Sequence, residues 1–247
     1  MKPDVSIVVP AFDEEDRVGD SIQKILEYTG SEKIDAELII VDDGSGDRTA
    51  VVAEQAIAKF ADAKAKVIRY ELNRGKGFAV RTGLQAATSD VALFSDADLS
   101  TPIEEMHKLL DPIVAGEYDV TFGSRALDRS LIGTHQPWRR EQGGKVMNLV
   151  IRTFSGLPFS DTQCGFKAFN MVKFRSLLDK MTIDRFGFDV EFLFVANYNR
   201  LRLCEIPVRW NDVEGSKLKV FRDTRRMFSE LSQIRRKAKS GQYDLDK

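Results

Sequence analysis

The chain has 247 residues, of which 43% are hydrophobic and 30% charged, and its formal net charge is −1. A chain of this size can bury the core of one large domain or of two small ones. The balanced charge argues against a globally basic nucleic-acid binder. No apolar run reaches the roughly 18 residues that would predict a membrane-spanning helix.

The N-terminal residues and the cysteine content indicate the cellular setting. Residues 1–15 lack the charged, apolar and small-residue order of a signal peptide. Cys164 and Cys204 are too few for a disulfide framework or a zinc site. We therefore expect a reduced, cytoplasmic setting. One local asymmetry stands out, because residues 217–239 are rich in Lys and Arg and contain only two acids, Asp223 and Glu230.

The first half of the chain alternates short apolar runs with amphipathic segments. Strands are predicted at 5–10, 36–43, 65–72, 91–98 and 119–125. Helices are predicted between them, at 13–30, 47–61, 76–88 and 102–114. The β-branched run at 5–10 is typical of a parallel strand covered on both faces. This alternation predicts an α/β fold of right-handed βαβ units with a mainly parallel sheet.

The regular alternation of predicted strands and helices ends after Arg125. Residues 126–145 are polar and rich in Arg, Gly and Gln, which predicts a mobile loop. Further elements are predicted as a helix at about 145–156, a short strand within 160–170, a helix at 188–199, a strand at 203–210 and a basic helical tail from Lys217. No repeat or linker is visible, so one domain is the simplest organisation.

Polar residues follow the predicted strands, where an open parallel sheet binds its ligands. They comprise four acids and three cations, namely Asp42, Asp43, Asp96, Asp98, Arg74, Lys76 and Arg125. The turn at 42–46 is explained as well by ordinary Asp-Gly-Ser turn chemistry as by binding. Asp96 and Asp98 are more informative. One helix cap needs one carboxylate, and a second unpaired carboxylate beside an apolar run is costly.

A divalent cation would remove that cost. Mg²⁺ and Mn²⁺ prefer oxygen ligands, and Mg²⁺ commonly takes one or two carboxylates together with substrate phosphates. Asp96 and Asp98 are separated only by the small Ala97, so both can approach one ion. Arg125, with Arg139 or Arg140, could clamp the phosphates through paired donors. The sequence therefore predicts a metal–diphosphate site with Mg²⁺ or Mn²⁺.

Eight segments carry a stronger signal together than any one of them carries alone. In chain order they are VVPAFDEE, IIVDDGSGD, NRGKGFAVRTG, SDADLSTP, GSRA, DTQCGFKAF, FDVEFLF and EIPVRWNDVEGSKL. This series resembles family 2 glycosyltransferases of the GT-A fold, and among them dolichyl-phosphate glucosyltransferases more than dolichyl-phosphate mannose synthases. The resemblance runs from Val5 to Leu218. It implies a GT-A domain at 1–216, with a nucleotide-sugar half at 1–125 and an acceptor half at 126–216, followed by a basic amphipathic helix and tail at 217–247.

The resemblance implies roles for the matching donor-side residues. One set would hold the uracil and ribose of a nucleotide sugar: Pro10, Phe12, Glu14, Asp42 and Asp43. Asn73, Lys76 and Ala97 would lie in the same donor site. Asp98 would bind the metal and Asp96 the donor, with Ser100 beside them. Mannose synthases of this type often carry Gln where this chain has Ser100, which leaves the full metal ligand set open.

Phosphate and acceptor contacts follow in the same way. Arg125 and one of Arg139 or Arg140 would contact the donor phosphates. Lys217 would reach a donor or acceptor phosphate, and Asp161 and Gln163 would lie on the acceptor side.

The implied reaction is inverting transfer of a hexose, glucose from UDP-glucose, to a polyprenyl or dolichyl monophosphate. The second pKa of such a phosphate is about 6, so it is largely a nucleophilic anion at neutral pH and needs no general base. Eukaryotic relatives of this kind carry an N-terminal membrane anchor, which this sequence lacks. We therefore expect a peripheral protein on the inner, cytoplasmic membrane face with a separate anchoring partner. The apolar stripe of the basic tail could lie on an anionic membrane or pack on the domain.

Alternative functions stay open. A family 2 transferase acting on a soluble saccharide or protein hydroxyl would need a general base, for which Asp161 or Asp189 is the candidate. A catalytically silent nucleotide-sugar-binding protein fits less well, because SDAD, Arg125 and Lys217 are all present. The sequence does not separate glucose from mannose, galactose or N-acetylglucosamine as the donor sugar.

Overall fold

The computed structural model describes residues 2–134, 138–213 and 220–245, with side chains except at 138–142, 145–146 and 220–226. Within these residues the strands are β1 Val5–Ala11, β2 Ala36–Asp42, β3 Lys64–Arg69, β4 Val91–Ser95, β5 Val120–Ser124, β6 Phe166–Asn170 and β7 Leu203–Pro207. The helices are α1 Val18–Ser31, α2 Thr49–Ile57, α3 Lys76–Ala86, α4 Met106–Val114, α5 Trp138–Ser155, α6 Met171–Leu178, α7 Phe188–Tyr198 and α8 Val220–Lys239. Short 3-10 helices occupy Ile103–Glu105 and Arg129–Leu131.

The described strands form one seven-stranded sheet in the order β3-β2-β1-β4-β6-β5-β7. Neighbouring strands are parallel except that β6 runs antiparallel to both β4 and β5. The predicted α/β class with a mainly parallel sheet is confirmed. The order reverses beside β1, where β2 lies on one side and β4 on the other. In open α/β sheets, ligands bind at the carboxyl ends of the strands near such a reversal.

The sheet is buried on both faces because its central strands are apolar at successive positions. Ile7 and Val9 of β1 pack with α1 and α4 on one face, while Val8 packs with α3 on the other. All three side chains are fully buried. Burial of each such side chain contributes about 1.5–3 kcal/mol. The two covered faces hold the strand ends in fixed positions, and the polar loops project from those ends.

Two helices depart from the sequence prediction. The loop predicted at 126–145 is wrong over its last part, because α5 begins at Trp138. The polar start of this helix concealed a later apolar face, of which Ile151 is fully buried. Helix α6 was not predicted at all, although Met171, Phe174, Leu177 and Leu178 are buried at helical spacing. Asn170 caps it, since its side-chain oxygen accepts the Val172 N–H at 3.1 Å.

The described part of the C-terminal tail packs on the domain. Met227, Leu231 and Ile234 of α8 are buried in the same core cluster as α3 and α7. Beyond α8, the fully buried Tyr243 donates its hydroxyl to Glu191 Oε1 at 2.6 Å. Met227, Leu231 and Ile234 are therefore core residues. Among the described residues, no helix combines the length and hydropathy needed to cross a bilayer.

Candidate functional site

The loops after β1 and β2 brace each other along one wall of the site. The Asp13 N–H donates to Ser45 Oγ at 2.9 Å, and Asp13 Oδ1 accepts the Gly46 N–H at 2.9 Å. The Glu14 N–H donates to Thr49 Oγ1 at 2.7 Å. Pro10 is buried in β1, whereas the side chain of Phe12 is exposed at the rim. The two loops thus form one surface with an exposed aromatic ring, which suits contact with a nucleobase.

Asp42 shapes the second of these loops. Its carboxylate is fully buried and accepts hydrogen bonds from the Ser45 hydroxyl and from the Ser45 N–H, the latter at 3.0 Å. Arg69 Nε lies 3.3 Å from the other carboxylate oxygen. Gly44 has φ +69°, and a Cβ on it would lie 2.7 Å from the Asn73 nitrogen. The turn therefore needs glycine both for its backbone angle and for close approach to the next loop.

Asp43 orders the loop between β3 and α3. Its carboxylate accepts Asn73 Nδ2, the Arg74 N–H and the Gly75 N–H, each at 2.8 Å. Gly75 has φ +113°, and a Cβ there would overlap the Asp184 carbonyl oxygen. Asp43 therefore fixes the loop that leads to Lys76, the first residue of α3.

Lys76 and Asp96 form an ion pair at the centre of the site, with Nζ 2.6 Å from Oδ1. Burial disfavours the charged ammonium, but Asp96, Asp189 and Asp98 outweigh it and raise the pKa of Lys76. The Asp96 N–H donates to the Gly165 carbonyl at 3.0 Å. This bond joins the end of β4 to the loop before β6.

Asp98 is less constrained than its neighbour Asp96. Its Oδ1 accepts the Ser100 N–H at 2.9 Å in a tight turn where Leu99 has φ +46°. Ala97 is buried, and its carbonyl accepts the Ser21 hydroxyl at 2.6 Å. Ser100 is buried as well.

The two carboxylates fit a hard divalent cation with substrate phosphates as further ligands. Asp98 is the better placed of the two, because Asp96 is already paired with Lys76. The described residues contain no group of three or more His, Cys, Asp or Glu side chains that could hold a metal by itself.

Arg125 is fixed by Asp161. Arg125 Nε and Nη2 donate to the two Asp161 oxygens at 2.6 and 2.8 Å. Burial alone would raise the pKa of Asp161, but the guanidinium outweighs it and holds that pKa below its usual range. A guanidinium has five N–H donors, so this carboxylate leaves donors for another anion. The Gln163 N–H donates to Asp161 Oδ1 at 3.2 Å.

Two functional features escaped the sequence interpretation. Glu205 of β7 accepts the N–H groups of Ser160 and Asp161 at 2.8 and 2.7 Å and the Ser124 hydroxyl at 2.7 Å. It therefore holds the Asp161 loop against β5. Lys167, in the middle of β6, is fully buried, and its Nζ lies 2.6 Å from Asp189 Oδ1. A lysine inside the apolar run from Phe166 to Phe169 was the available signal.

The structure brings most of the predicted site residues to one edge of the sheet. Asp42 ends β2 and Asp43 follows it, Asp96 and Asp98 follow β4, Arg125 follows β5, and Lys76 begins α3. Glu14 pairs with Arg17 at 2.5 Å on the outer wall. Arg139 and Arg140 lie near the start of α5, with their side chains outside the described set, and Lys217 lies outside the described residues.

Known protein sequences match this chain over most of its length. A sequence model described as glycosyl transferase family 2 matches residues 6–178. A dolichyl-phosphate beta-glucosyltransferase of Drosophila melanogaster is 34% identical, covering 94% of this chain and 74% of the relative. The protein of the same name in Homo sapiens is 32% identical, covering 98% of this chain and 78% of the relative.

Solved structures share the fold. Glucosyl-3-phosphoglycerate synthase of Mycobacterium tuberculosis, bound to phosphoglyceric acid, has a TM-score of 0.70 at 18% identity, covering 94% of this chain and 80% of that one. The same enzyme bound to Mn²⁺, UDP-glucose and phosphoglyceric acid has a TM-score of 0.68 at 18% identity, covering 94% and 79%. The predicted GT-A-like architecture is confirmed. By its sequence match and its architecture, the chain belongs to glycosyl transferase family 2.

Proposed function

We propose that this chain transfers glucose from UDP-glucose to a polyprenyl or dolichyl monophosphate, with inversion at the sugar. The names of its relatives support a lipid-phosphate acceptor. The fold neighbour bound to UDP-glucose and Mn²⁺ supports the donor and a divalent cation, Mg²⁺ or Mn²⁺.

The ion pairs made by the two candidate general bases carry this proposal. Transfer to a hydroxyl needs a general base, and the candidates were Asp161 and Asp189. Asp161 is held by two hydrogen bonds from Arg125, and Asp189 is held by the fully buried Lys167. A phosphate monoester, with a second pKa near 6, arrives as its own anionic nucleophile. A site whose acids are occupied by cations suits that acceptor.

The donor would bind across the ends of β1, β2 and β4. The loops around Phe12, Glu14, Asp42 and Asp43 would hold the nucleoside, with Asn73 at their junction. Lys76 and Asp96 would face the sugar and the phosphate next to it. Asp98, with Asp96 and Ser100 beside it, would hold the metal, which supplies electrostatic stabilisation of a diphosphate.

The remaining cationic side chains would stabilise the negative charge that develops during the transfer. An oxygen of the acceptor phosphate attacks the anomeric carbon, the bond from that carbon to the UDP oxygen breaks, and UDP leaves with the negative charge. The N–H groups of Arg125 that do not face Asp161 would stabilise this developing charge. We assign one of Arg139 or Arg140 to the same task, Lys217 to a donor or acceptor phosphate, and Asp161 and Gln163 to the acceptor side.

A membrane surface would present the lipid acceptor. Arg235, Arg236 and Lys239 of α8 are exposed, and the nearby Phe228 and Leu149 are 37% and 64% exposed. Cations beside exposed apolar side chains suit an anionic bilayer surface. We place the protein on the inner, cytoplasmic face as a peripheral protein, with a separate anchoring partner.

A panel of donors tests the proposal. Labelled UDP-glucose, UDP-galactose, UDP-N-acetylglucosamine and GDP-mannose are incubated with and without polyprenyl phosphate, in Mn²⁺ and then in EDTA. We expect lipid-extractable label from UDP-glucose alone, dependent on the lipid phosphate and lost in EDTA. Label that stays in the aqueous phase with every donor would contradict the lipid acceptor and favour a soluble one.

A further inference from the structure

A fully buried lysine approaches the site from the middle of the sheet. Lys167 pairs in register with Phe94 of β4 and Phe122 of β5. Its ammonium donates to the Cys164 carbonyl at 2.5 Å and to Asp189 Oδ1 at 2.6 Å. A buried ion pair is rarely more stabilising than apolar side chains of similar volume. Stability alone therefore does not account for it.

A second ammonium lies against the same aromatic ring. Lys76 Nζ is 5.7 Å and Lys167 Nζ is 6.0 Å from the centroid of Phe94. Phe188, which directly precedes Asp189, packs edge-on against Phe94 with ring centroids 5.8 Å apart. The start of α7 is thus packed beside the start of α3, and Asp189 and Lys76 face a shared space around one ring.

Charges of opposite sign alternate through this space. Lys167 is paired with Asp189, and Lys76 is paired with Asp96 at 2.6 Å. Both acids favour the charged form of Lys76, against the effect of its burial. Asp189 is therefore a potential competitor of Asp96 for the Lys76 ammonium. Its bond to Lys167 satisfies it and leaves Lys76 to Asp96.

We propose that Lys167 is a positioning residue that, by neutralising Asp189, keeps the Lys76 ammonium on Asp96, where the pair meets the donor sugar nucleotide. The identity of the donor rests on the proposed function, whereas the ion pairs do not. The predicted consequence is specific. Without Lys167, Asp189 and Asp96 share one cation and the donor site is distorted. Without Asp189 as well, the competitor is gone and Lys76 keeps its place.

Titration of UDP-glucose in Mn²⁺ tests this with three variants. Lys167→Met should weaken donor binding about tenfold, the scale of couplings within one ion-pair network. The double variant Lys167→Met/Asp189→Asn should recover most of that loss. Lys173→Met is the matched control, because Lys173 pairs with Asp119 at 2.7 Å in a different ion pair, and it should bind like the wild type.

Two results would overturn the inference. The first is a folded Lys167→Met protein with wild-type donor affinity, which would mean that the pair only supports the fold. The second is a double variant as weak as Lys167→Met, which would mean that Asp189 or Lys167 itself contacts the donor. If Lys167→Met does not fold, Lys167→Gln takes its place, beside Lys167→Gln/Asp189→Asn, and the same two results would overturn the inference.

A donor-independent measurement separates this inference from the proposed function. Crystal structures of the wild type and the double variant should show Lys76 Nζ within hydrogen-bonding distance of Asp96, and that of Lys167→Met should show it turned to Asp189. An unmoved Lys76 in Lys167→Met would overturn the inference. Absence of transfer to lipid phosphate, with these lysine positions as expected, would contradict only the proposed function.

Discussion

Arg125 and Asp161 meet in two parallel hydrogen bonds, Nε to Oδ2 at 2.6 Å and Nη2 to Oδ1 at 2.8 Å. Asp161 is itself anchored, because its backbone N–H donates to the Glu205 carboxylate of β7 at 2.7 Å. This chain of bonds fixes the direction of the guanidinium at the end of β5. It also places the negative charge of Asp161 on an arginine rather than on an incoming hydroxyl.

Replacement of Asp161 by Asn should therefore lower both stability and activity. Removing one partner of a fully buried ion pair costs about 3–5 kcal/mol, because the other charge is left uncompensated. The cost here should be smaller, since the Arg125 side chain is 30% exposed. Urea unfolding at pH 7 measures this cost, and the transfer assay measures the loss of a correctly oriented Arg125. The exposed Asp62→Asn variant should behave like the wild type. Unchanged unfolding and transfer in Asp161→Asn would contradict the role assigned to the pair.

Acid should destabilise the protein through carboxylates with lowered pKa values. The side chain of Arg202 lowers the pKa of the buried Asp119 well below its usual range, and Lys173 adds to this against the effect of burial. Such a group contributes its stability fully above its unfolded pKa of about 3.9 and loses it as the pH falls towards the folded value.

Urea unfolding at pH 7, 5, 4 and 3 checks this expectation. The free energy of unfolding should hold down to about pH 5 and then fall steeply below about pH 4, as the unfolded chain takes up protons more readily. Asp119→Asn should be less stable at pH 7 and show a shallower acid decline. Parallel curves for the two proteins would show that Asp119 contributes nothing to the acid sensitivity.

Asp98→Asn should abolish most of the transfer without unfolding the protein. Within the described residues Asp98 accepts one backbone hydrogen bond and forms no ion pair, so its loss removes a ligand charge rather than a structural contact. Loss of a group that stabilises developing charge lowers turnover by about 10²–10³-fold. The assay is run at saturating Mn²⁺ beside Asp62→Asn, with thermal midpoints compared. Near-normal turnover at saturating metal would contradict the metal assignment.

Gly165→Ala should disturb Asp96 from outside the site. A Cβ on Gly165 would overlap the Asp96 carboxylate, and the short side chain must turn away from Lys76 to make room. We expect a large loss of donor affinity with a small loss of stability. Gly30→Ala is the control, since no atom lies within 4 Å of a Cβ there. Equal donor affinity in the two variants would mean that the position of Asp96 does not matter for binding.

Membrane association should depend on the exposed cations of α8. Each basic residue near an anionic surface contributes about 1 kcal/mol, so Arg236→Gln/Lys239→Gln should weaken vesicle binding roughly thirty-fold. The control Lys33→Gln/Lys59→Gln removes two exposed cations elsewhere. Flotation with phosphatidylserine vesicles measures both. Deleting the helix is a poor test, because Met227, Leu231 and Tyr243 are core residues.

The sequence predicted the strands and the rim of the site because both depend on local signals. Continuous apolar runs mark β1, β2 and β4, and the acids and cations follow directly behind them. The sequence predicted the strand β6 within 160–170 but not its antiparallel direction, because the direction of a strand depends on distant pairing rather than on its own residues. Helix α6 was missed although its apolar residues recur at helical spacing.

Pairing between distant residues could not be predicted in the same way. Lys167 and Asp189 are 22 positions apart, and Arg125 and Asp161 are 36 apart. Nothing in either segment identifies its partner, so Asp161 was placed on the acceptor side without its arginine. The role of Asp43 in holding the Asn73 loop was hidden for the same reason. Local composition reveals which residues are polar, whereas topology decides which of them meet.

The most direct test of the central claim compares two lipids that differ only in the phosphate. A polyprenyl monophosphate and the matching polyprenol are each incubated with labelled UDP-glucose and Mn²⁺. An acceptor that arrives as an anion needs no base, so we expect label in the phosphate lipid and none in the alcohol. Equal transfer to the alcohol would show that the site deprotonates a hydroxyl, and would contradict the account.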